Sequence, residues 1–291
     1  MHADEVHTDA GLVRRLVNGQ FPQWADLPIQ RVPSAGTDNA LYRLGDDLLA
    51  RLPRRPNAAS QAAKDAEWLP RLAPHLPVPV PVPMATGRLA EEYPWTWSVC
   101  PWFDGANPAV GRVSIADELA AFVAALHAID PSGGPPAGSH NFFRGAPLEL
   151  RDPPTRAAIE ALKGMFDTDA LAAAWDAALA VPPWTGPPMW VHGDLAPGNL
   201  LLLGERISAV IDFGCLGVGD PAVDLIVAWN LLDPEAREVY RAALDIDDAS
   251  WARGRGWALS IALIQLPYYK DTNPMLAANS NHVIREVMVT R

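Results

Sequence analysis

The most informative stretch of the chain reads His192-Gly193-Asp194-Leu195-Ala196-Pro197-Gly198-Asn199 and continues, after a short apolar segment, with Ile211-Asp212-Phe213-Gly214. Its polar residues fall on turns between short apolar runs, so the pattern predicts that Asp194, Asn199 and Asp212 lie at adjacent strand ends. Two carboxylates and an amide oxygen form a ligand set that suits Mg²⁺, a hard cation that shares substrate phosphates. The stretch therefore indicates phosphoryl-transfer chemistry.

These motifs resemble those of the aminoglycoside phosphotransferase family, relatives of the protein kinases, in which a His-Gly-Asp loop precedes Asn and a metal loop begins with Asp. The resemblance implies that Asp194 is the catalytic base, which accepts or orients the proton of an acceptor hydroxyl, and that Asn199 and Asp212 hold Mg²⁺. It also implies the fold: α+β, two-lobed and protein-kinase-like, with a small antiparallel-sheet N-lobe and a mainly helical C-lobe.

Composition and charge narrow the class of protein. The 291 residues are 49% hydrophobic, which is enough apolar material for one large domain or two modest ones. The net charge of −11 disfavours nucleic acid and anionic lipid as partners and suits a cationic one. Two cysteines exclude a disulfide framework and a four-cysteine zinc module. With no secretory signal and no run of ~18 apolar residues, we expect a cytoplasmic protein without membrane contact.

Hydrophobic periodicity divides the chain into a strand-rich part and a helical part. The shift near residue 104 is the expected lobe boundary, and the resemblance implies an N-lobe over residues 1–103 that binds the nucleotide and a C-lobe over residues 104–291 that carries the catalytic loop and binds the acceptor. Thr8 is expected to cap the first helix. The predicted strands are residues 29–32, 40–44, 48–52 and 93–103, and the predicted helices include residues 58–72, 115–129, 155–163 and 168–179.

Arg51 lies on a predicted strand, at the place where kinases and many members of the similar family have a lysine that holds the α- and β-phosphates. The resemblance implies that Arg51 takes this role and that Glu67, in the following helix, is its ion-pair partner. A guanidinium is a planar fork that can bridge phosphate and carboxylate, so the role can survive the change. The alternative is an ordinary surface pair. Both ATP and GTP remain open as phosphoryl donors.

The remaining nucleotide contacts have weaker signals. In place of a glycine-rich phosphate loop the sequence reads Ser34-Ala35-Gly36-Thr37-Asp38-Asn39, whose turn amides and Ser34 and Thr37 hydroxyls can cover phosphates. The resemblance puts the adenine contacts on the Pro101 carbonyl and the Phe103 amide. Proline is tolerated there because that contact needs only an acceptor.

The histidines also have structural interpretations. His192 is expected to hold the catalytic loop through hydrogen bonds rather than to take part in the chemistry. A rival arrangement, a hydrolytic metal site built from His192, Asp194, Asp212 and His127, needs a second imidazole from an apolar helix face. His127 is more readily explained as a residue beside the core.

Acidic residues of the second half have two interpretations. Asp220 and Asp224 are expected to be structural, with Asp220 accepting backbone amides at a helix start before Pro221. Another set either lines an acidic pocket for a polycationic acceptor or forms a solvated face. This set comprises Asp233, Glu235, Asp245, Asp247, Asp248 and Asp271.

The predicted reaction moves the γ-phosphoryl group of ATP or GTP to a hydroxyl of an aminoglycoside or similar antibiotic, with Mg²⁺ as cofactor. The alternatives are a macrolide, nucleoside or peptide antibiotic, or an endogenous metabolite. A degraded kinase-like binding protein is a different class, motivated by Arg51 and the glycine-poor loop. The complete set of Asp194, Asn199 and Asp212 argues against it. We expect a monomer or a homodimer.

Overall fold

The computed structural model describes residues 6–34, 36, 38–90, 92–111 and 115–289. The chain forms two compact units, one of residues up to Gly105 with Ser208–Gly214, and one of Ala106–Ile207 with residues from Cys215 onward. The predicted boundary after residue 103 lies close to this division. The segment Ser208–Gly214, which carries Asp212, belongs to the first unit. The predicted boundary assigned this segment to the C-lobe.

The first unit is built around a five-stranded antiparallel sheet. Along β2 the side chains alternate between the two faces and bury Ala40, Tyr42 and Leu44. Arg51 lies on the central strand, opposite Leu41 on one side. The strands are β1 (Ile29–Val32), β2 (Asn39–Leu44), β3 (Leu48–Pro53), β4 (Ala85–Gly87) and β5 (Trp97–Pro101), in the order β1-β2-β3-β5-β4.

Helix α1 (Ala10–Gln20) packs on the core of this sheet through one apolar face. That face consists of Leu12, Val13, Leu16 and Val17. The carboxylate of Asp9 caps the helix by accepting the Leu12 N–H at 2.7 Å. The prediction that Thr8 is the cap is wrong by one residue. The Thr8 hydroxyl lies 3.1 Å from the Tyr42 hydroxyl and does not cap the helix.

Helix α2 (Pro56–Leu72) begins with a proline, whose missing N–H costs nothing in the first turn. Its buried face includes Ala58, Ala62, Leu69 and Leu72, which recur at helical spacing. Asp65 lies on the same face and is 1% exposed. An ionisable residue on an apolar face requires a partner, and Arg51 supplies it.

The second unit is mainly helical. Its long helix α8 is buried over most of its length, and a Cβ at Gly254 would lie 2.6 Å from the Leu225 Cβ, so glycine permits close packing there. The helices are α3 (Ala116–His127), α4 (Asp152–Ala161), α5 (Thr168–Leu179), α6 (Val227–Asn230), α7 (Pro234–Ala243), α8 (Asp248–Tyr269) and α9 (Pro274–Val289).

Four short strands accompany the sequence motifs. β6 (Met189–Val191) pairs antiparallel with β9 (Gly217–Gly219) in the second unit. β7 (Leu200–Leu203) follows the catalytic loop, and β8 (Arg206–Val210) leads to Asp212. Of the described helices, none combines the length and apolar character that crossing a membrane requires.

Candidate active site

The loop that follows β6 is held by a buried carboxylate from a distant segment. Asp224 is fully buried and accepts the His192 N–H at 3.0 Å and the Gly193 N–H at 2.7 Å. His127 Nε2 lies 3.1 Å from the same carboxylate. Hydrogen bonds to an ionised acceptor are the strong ones, so they fix the loop backbone. The structural interpretations of Asp224 and His127 are confirmed.

Within the loop, His192 and Gly193 shape the turn before Asp194. His192 is fully buried, and its Nδ1 accepts the Asp194 N–H at 3.2 Å, which confirms that it holds the loop. Gly193 has φ of +77°, and a Cβ there would lie 2.8 Å from the Cys215 carbonyl oxygen. The position therefore requires glycine for both its conformation and its space.

Asp194 and Asn199 are in direct contact. The Asn199 Nδ2 group donates to the Asp194 backbone oxygen at 2.8 Å and to its Oδ2 at 3.1 Å. A side-chain amide has two N–H donors and one carbonyl oxygen, so this arrangement leaves Asn199 Oδ1 as the atom suited to a metal. The Asp194 side chain is 32% exposed, which keeps its carboxylate accessible.

In the first unit, Asp212 begins the predicted metal loop in an uncommon conformation. Its φ is +61°, the left-handed region that costs a non-glycine residue roughly 1 kcal/mol or more. The carboxylate is 44% exposed, and its Oδ1 lies 3.8 Å from Arg51 Nη2. The same oxygen accepts the Gly214 N–H at 3.3 Å. Arg51 and Asp212 are thus brought together.

The acidic partner of Arg51 is Asp65, and the prediction of Glu67 is wrong. Arg51 Nη1 lies 3.0 Å from Asp65 Oδ2 in a buried ion pair. Positions two apart on a helix point in nearly opposite directions, so Glu67 is exposed. Burial opposes the charge on Arg51, but Asp65 and other nearby negative groups outweigh it and raise the pKa of the guanidinium above its ordinary value. Arg51 therefore stays charged.

Helix α2 also directly contacts residues 212–214, the predicted metal loop. Lys64 Nζ donates to the Gly214 carbonyl oxygen at 2.7 Å. A Cβ at Gly214 would lie 2.7 Å from Gln61 Nε2, so the glycine admits this close approach. Together with Arg51, which lies between Asp65 and Asp212, these contacts link β3, α2 and the metal loop.

The other predicted nucleotide contacts are only partly visible. The Ser34 hydroxyl accepts the Gly36 N–H at 3.0 Å and so stabilises a turn. Thr37 lies outside the described residues. Pro101 is the last residue of β5, and Phe103 follows it without regular secondary structure. Their contacts with a nucleotide stay predictions.

Comparison with known proteins adds to this geometry. A sequence model of the phosphotransferase enzyme family matches residues 29–257, which include the loop of Asp194 and Asn199 and the segment that carries Asp212. The chain belongs to the phosphotransferase enzyme family. The family predicted from the loop motifs is confirmed.

One curated relative of this phosphotransferase family member matches about half of the chain. The chain is 32% identical over 149 residues to an aminoglycoside 3′-phosphotransferase of Escherichia coli, covering 47% of this chain and 51% of that protein. The chain thus spans about half the length of the curated relative it matches.

Solved structures in the comparison agree along nearly the whole chain. The GDP complex of an aminoglycoside 2′-phosphotransferase-IIIa has a TM-score of 0.75 at 18% identity, covering 97% of this chain and 99% of that one. A macrolide 2′-phosphotransferase from Brachybacterium faecium has a TM-score of 0.63 at 24% identity, with 97% and 99% covered. These likenesses confirm the predicted α+β kinase-like fold.

Three residues that contact the predicted residues or their loops were not predicted: Asp65, Lys64 and Arg144. For Asp65 a signal exists, because it recurs at helical spacing with the apolar residues of α2. Arg144, whose Nη2 lies 3.7 Å from Asp194 Oδ1, belongs to an irregular segment far from the loop in sequence. No local pattern indicates that contact.

Asp220 has the structural role expected of it. Its Oδ1 accepts the Ala222 N–H at 3.0 Å, which caps the short helical segment from Pro221. Its Oδ2 lies 2.8 Å from Nε of Arg253, a buried arginine of α8. The prediction that Asp220 accepts backbone amides is confirmed.

Half of the acidic set proposed for an acceptor pocket has other partners. Asp233 and Asp247 cap α7 and α8 by accepting amide protons from the first turns. Asp248 forms an ion pair with Arg241. For Asp233 and Asp247 the structure favours a capping role over an acceptor contact, whereas the ion pair of the fully exposed Asp248 decides nothing.

Proposed function

We propose that this chain is a small-molecule O-phosphotransferase that moves the γ-phosphoryl group of ATP or GTP to a hydroxyl of an aminoglycoside or similar antibiotic. The observation that carries the proposal is the pair of hydrogen bonds from the Asn199 amide to Asp194. They order a candidate base and a candidate metal ligand within one loop. Membership of the phosphotransferase enzyme family supports the reaction class.

Asp194 is the proposed catalytic base. Its carboxylate is accessible, whereas the preceding residues His192 and Gly193 are buried and held by Asp224. The acceptor oxygen forms a bond to the γ-phosphorus while the bond from that phosphorus to the β–γ bridging oxygen breaks, and the nucleoside diphosphate leaves. The hydroxyl proton passes to Asp194. Positioning of the hydroxyl supplies much of the rate.

Asn199 and Asp212 are the proposed ligands of Mg²⁺, and their chemistry fits that ion. Asn199 donates its amide protons within the loop and presents a carbonyl oxygen, while Asp212 presents a carboxylate that is 44% exposed. A few protein oxygens completed by phosphates and water suit Mg²⁺. When bound, the ion neutralises charge on the phosphates. The left-handed backbone of Asp212 is typical of residues held in place for function.

Arg51 is the proposed ligand of the α- and β-phosphates. Its ion pair with Asp65 fixes one edge of the guanidinium and keeps it charged in a buried place. An arginine presents several N–H donors in a plane, so donors remain for a phosphate. The hydroxyls of Ser34 and Thr37 are further proposed phosphate contacts.

The base of the nucleotide is proposed to contact the Pro101 carbonyl and the Phe103 amide. Pro101 ends β5, where its lack of an N–H costs no hydrogen bond if only an acceptor is needed. This arrangement does not discriminate between ATP and GTP. A cytoplasmic location and a monomeric or homodimeric state are part of the same proposal.

The acceptor preference rests on two observations. The Escherichia coli relative is named an aminoglycoside 3′-phosphotransferase, and the net charge of −11 favours a polycationic acceptor. Asp233 and Asp247 already accept amide protons in helix caps, so the remaining candidates of the set for an acidic lining are Glu235, Asp245, Asp248 and Asp271.

The test is a nucleotide-consumption screen with the purified chain, Mg²⁺, and ATP or GTP in turn. The acceptors are kanamycin, a macrolide, a nucleoside antibiotic and a set of hydroxylated metabolites, with mass spectrometry of each product. We expect phosphorylated kanamycin. Turnover of the macrolide or a metabolite alone contradicts the acceptor preference, and nucleotide binding with neither transfer nor hydrolysis favours a degraded binding protein.

The role of the base is tested with Asp194→Ala. This variant is expected to lose transfer while it keeps Mg²⁺-dependent nucleotide binding, measured by calorimetry. Glu67→Ala serves as the control, since Glu67 is exposed and does not pair with Arg51. Full activity of Asp194→Ala removes the assignment of the base.

A further inference from the structure

The segment of residues 141–145 lies against the catalytic loop within the second unit. Fully buried Asn141 donates from Nδ2 to the Arg144 carbonyl oxygen at 3.0 Å and to the Cys215 carbonyl oxygen at 3.4 Å. A Cβ at Gly193 would lie 2.9 Å from the Arg144 Cβ. In protein kinases this position of the loop carries an arginine. Here the glycine leaves room for an arginine from another segment.

The backbone of this segment is strained. Phe142 and Phe143 have φ of 55° and 59°, and Gly145 has φ of 82°. Consecutive left-handed residues other than glycine persist only where the surroundings determine them, and such strain clusters at functional sites. The Asn141 side chain holds this backbone in place, because its Oδ1 accepts the Gly138 N–H at 2.9 Å and its Nδ2 donates to the Arg144 carbonyl oxygen. The orientation of Arg144 is therefore enforced at a cost to stability.

The Arg144 guanidinium is not used to stabilise the fold. The residue is 6% exposed, and neither Nε nor Nη1 has a hydrogen-bond partner within the described part of the chain. Of the described carboxylates, that of Asp194 alone is within ion-pair range, with Oδ1 3.7 Å from Nη2. Burial, together with the positive charge of Arg144, lowers the pKa of the neighbouring Arg151 to about 9. Arg144 thus has a like charge near it as well as the Asp194 carboxylate.

Arg253 shows what a structural buried arginine looks like in the same unit. It is 5% exposed, and its Nε donates to Asp220 Oδ2 at 2.8 Å. Nη1 and Nη2 donate to the Pro182 carbonyl oxygen at 3.2 Å and the Ser250 hydroxyl at 3.0 Å. Burying a guanidinium without such partners is costly. The contrast points to a role for Arg144 outside stability.

We infer that Arg144 is a positioning residue that orients the Asp194 carboxylate toward the acceptor hydroxyl. This inference rests on the proposed function. Asn199 holds Asp194 Oδ2 at 3.1 Å, and Arg144 attracts Oδ1 from 3.7 Å, so each oxygen of the carboxylate faces a different partner. At 3.7 Å the attraction is electrostatic, because this separation is longer than a hydrogen bond.

The kinetic test compares Arg144→Met and Arg144→Lys with wild type, using kanamycin as acceptor and, separately, hydrolysis of ATP without an acceptor. Misplacing a reacting group by about 1 Å can cost roughly 100-fold in rate. We expect Arg144→Met to lose about tenfold or more in kcat while the KM for ATP stays within about twofold, and Arg144→Lys to recover part of the rate. Unchanged kcat, or a raised KM for ATP alone, overturns the inference.

A double-mutant cycle with Asp194→Asn separates positioning from general damage. If Arg144 acts through Asp194, Arg144→Met causes no further loss of ATP hydrolysis in the Asp194→Asn background. An equal loss in both backgrounds overturns the inference. Arg253→Met is the matched control, expected to lower the unfolding temperature without lowering kcat of the folded enzyme.

A crystal structure of Arg144→Met tests the same inference without activity. We expect the Asp194 carboxylate to turn away from the Asn199 amide or to occupy two rotamers. An unchanged Asp194 rotamer overturns the inference whatever the activity. A wild-type enzyme that neither transfers nor hydrolyses phosphate contradicts the proposed function instead, and the rotamer comparison still decides the role of Arg144.

Discussion

Arg51 Nη1 and Asp65 Oδ2 lie 3.0 Å apart, with side chains that are 10% and 2% exposed. The same arginine lies 3.8 Å from Asp212, so a single buried guanidinium connects the central strand, helix α2 and the metal loop. Burial raises the pKa of the Asp65 carboxyl, and Arg51 opposes that rise. Removal of either partner leaves a charged group with too little compensation.

Asp65→Ala is expected to destabilise the protein by about 3 kcal/mol, because it leaves the Arg51 charge buried without its main partner. It should also raise the KM for ATP, since the guanidinium loses its anchor. Glu67→Ala is the control from the same helix and is expected to stay within about 0.5 kcal/mol of wild type. Urea unfolding and steady-state kinetics measure both effects. Equal losses in the two variants contradict the assignment of Asp65.

The error at Glu67 shows which information was missing. Helix α2 was predicted over residues 58–72 and is observed over Pro56–Leu72, because its periodicity is local. Choosing between two acids on that helix requires knowing which face meets β3. The burial of Ala58, Ala62 and Leu69 identifies that face, and Asp65 lies on it. A stricter use of helical spacing finds Asp65 from the sequence.

Gly193→Ala is expected to lower kcat by about tenfold or more, since its Cβ would press on Arg144 and Cys215 and move the loop that carries Asp194. Gly204→Ala is the matched control. Gly204 also has positive φ, 64°, but nothing lies within 4 Å of its Cβ position. It should show the left-handed backbone cost of about 1 kcal/mol with unchanged kcat. Thermal unfolding and kinetics distinguish the two, and similar kcat values in both variants contradict the steric argument.

Other parts of the site lie beyond sequence reasoning for a different reason. Asp194, Asn199 and Asp212 are recognisable because they belong to continuous motifs. The contacts of Arg144 with Asp194 and of Asp224 with His192 join segments far apart in the chain. Helix α5 illustrates the opposite case, since its observed bounds, Thr168–Leu179, follow from a local pattern and equal the predicted ones.

Asp224→Ala is expected to cost about 3 kcal/mol or more in stability and most of the activity. The change leaves the His192 and Gly193 amides buried without an acceptor, and His127 without its partner. Asp224→Asn keeps one carbonyl oxygen, so its stability and activity should lie between those of wild type and Asp224→Ala. Asp220→Asn, also at a buried carboxylate, should lose stability without loss of kcat. Wild-type kcat in Asp224→Ala contradicts the role of Asp224 in holding the loop.

Asp247 provides a pH-dependent prediction. Hydrogen bonds from the Ser250 hydroxyl and amide lower the pKa of its carboxyl below the ordinary value. A carboxyl with a lowered folded-state pKa stabilises the protein above its unfolded-state pKa, and this contribution is lost as the pH falls through the folded-state value.

Asp247→Ala is therefore expected to cost about 1 kcal/mol near neutral pH, the usual value of a helix cap. The difference from wild type should narrow between about pH 5 and about pH 3, because wild type loses its charged cap while the alanine variant has none to lose. Asp247→Asn keeps a capping side chain that does not titrate. Asp271→Ala, at an exposed aspartate, serves as the control. Urea unfolding at each pH measures the difference in unfolding free energy between wild type and Asp247→Ala. A difference that stays constant down to about pH 3 shows that the carboxylate charge does not stabilise helix α8.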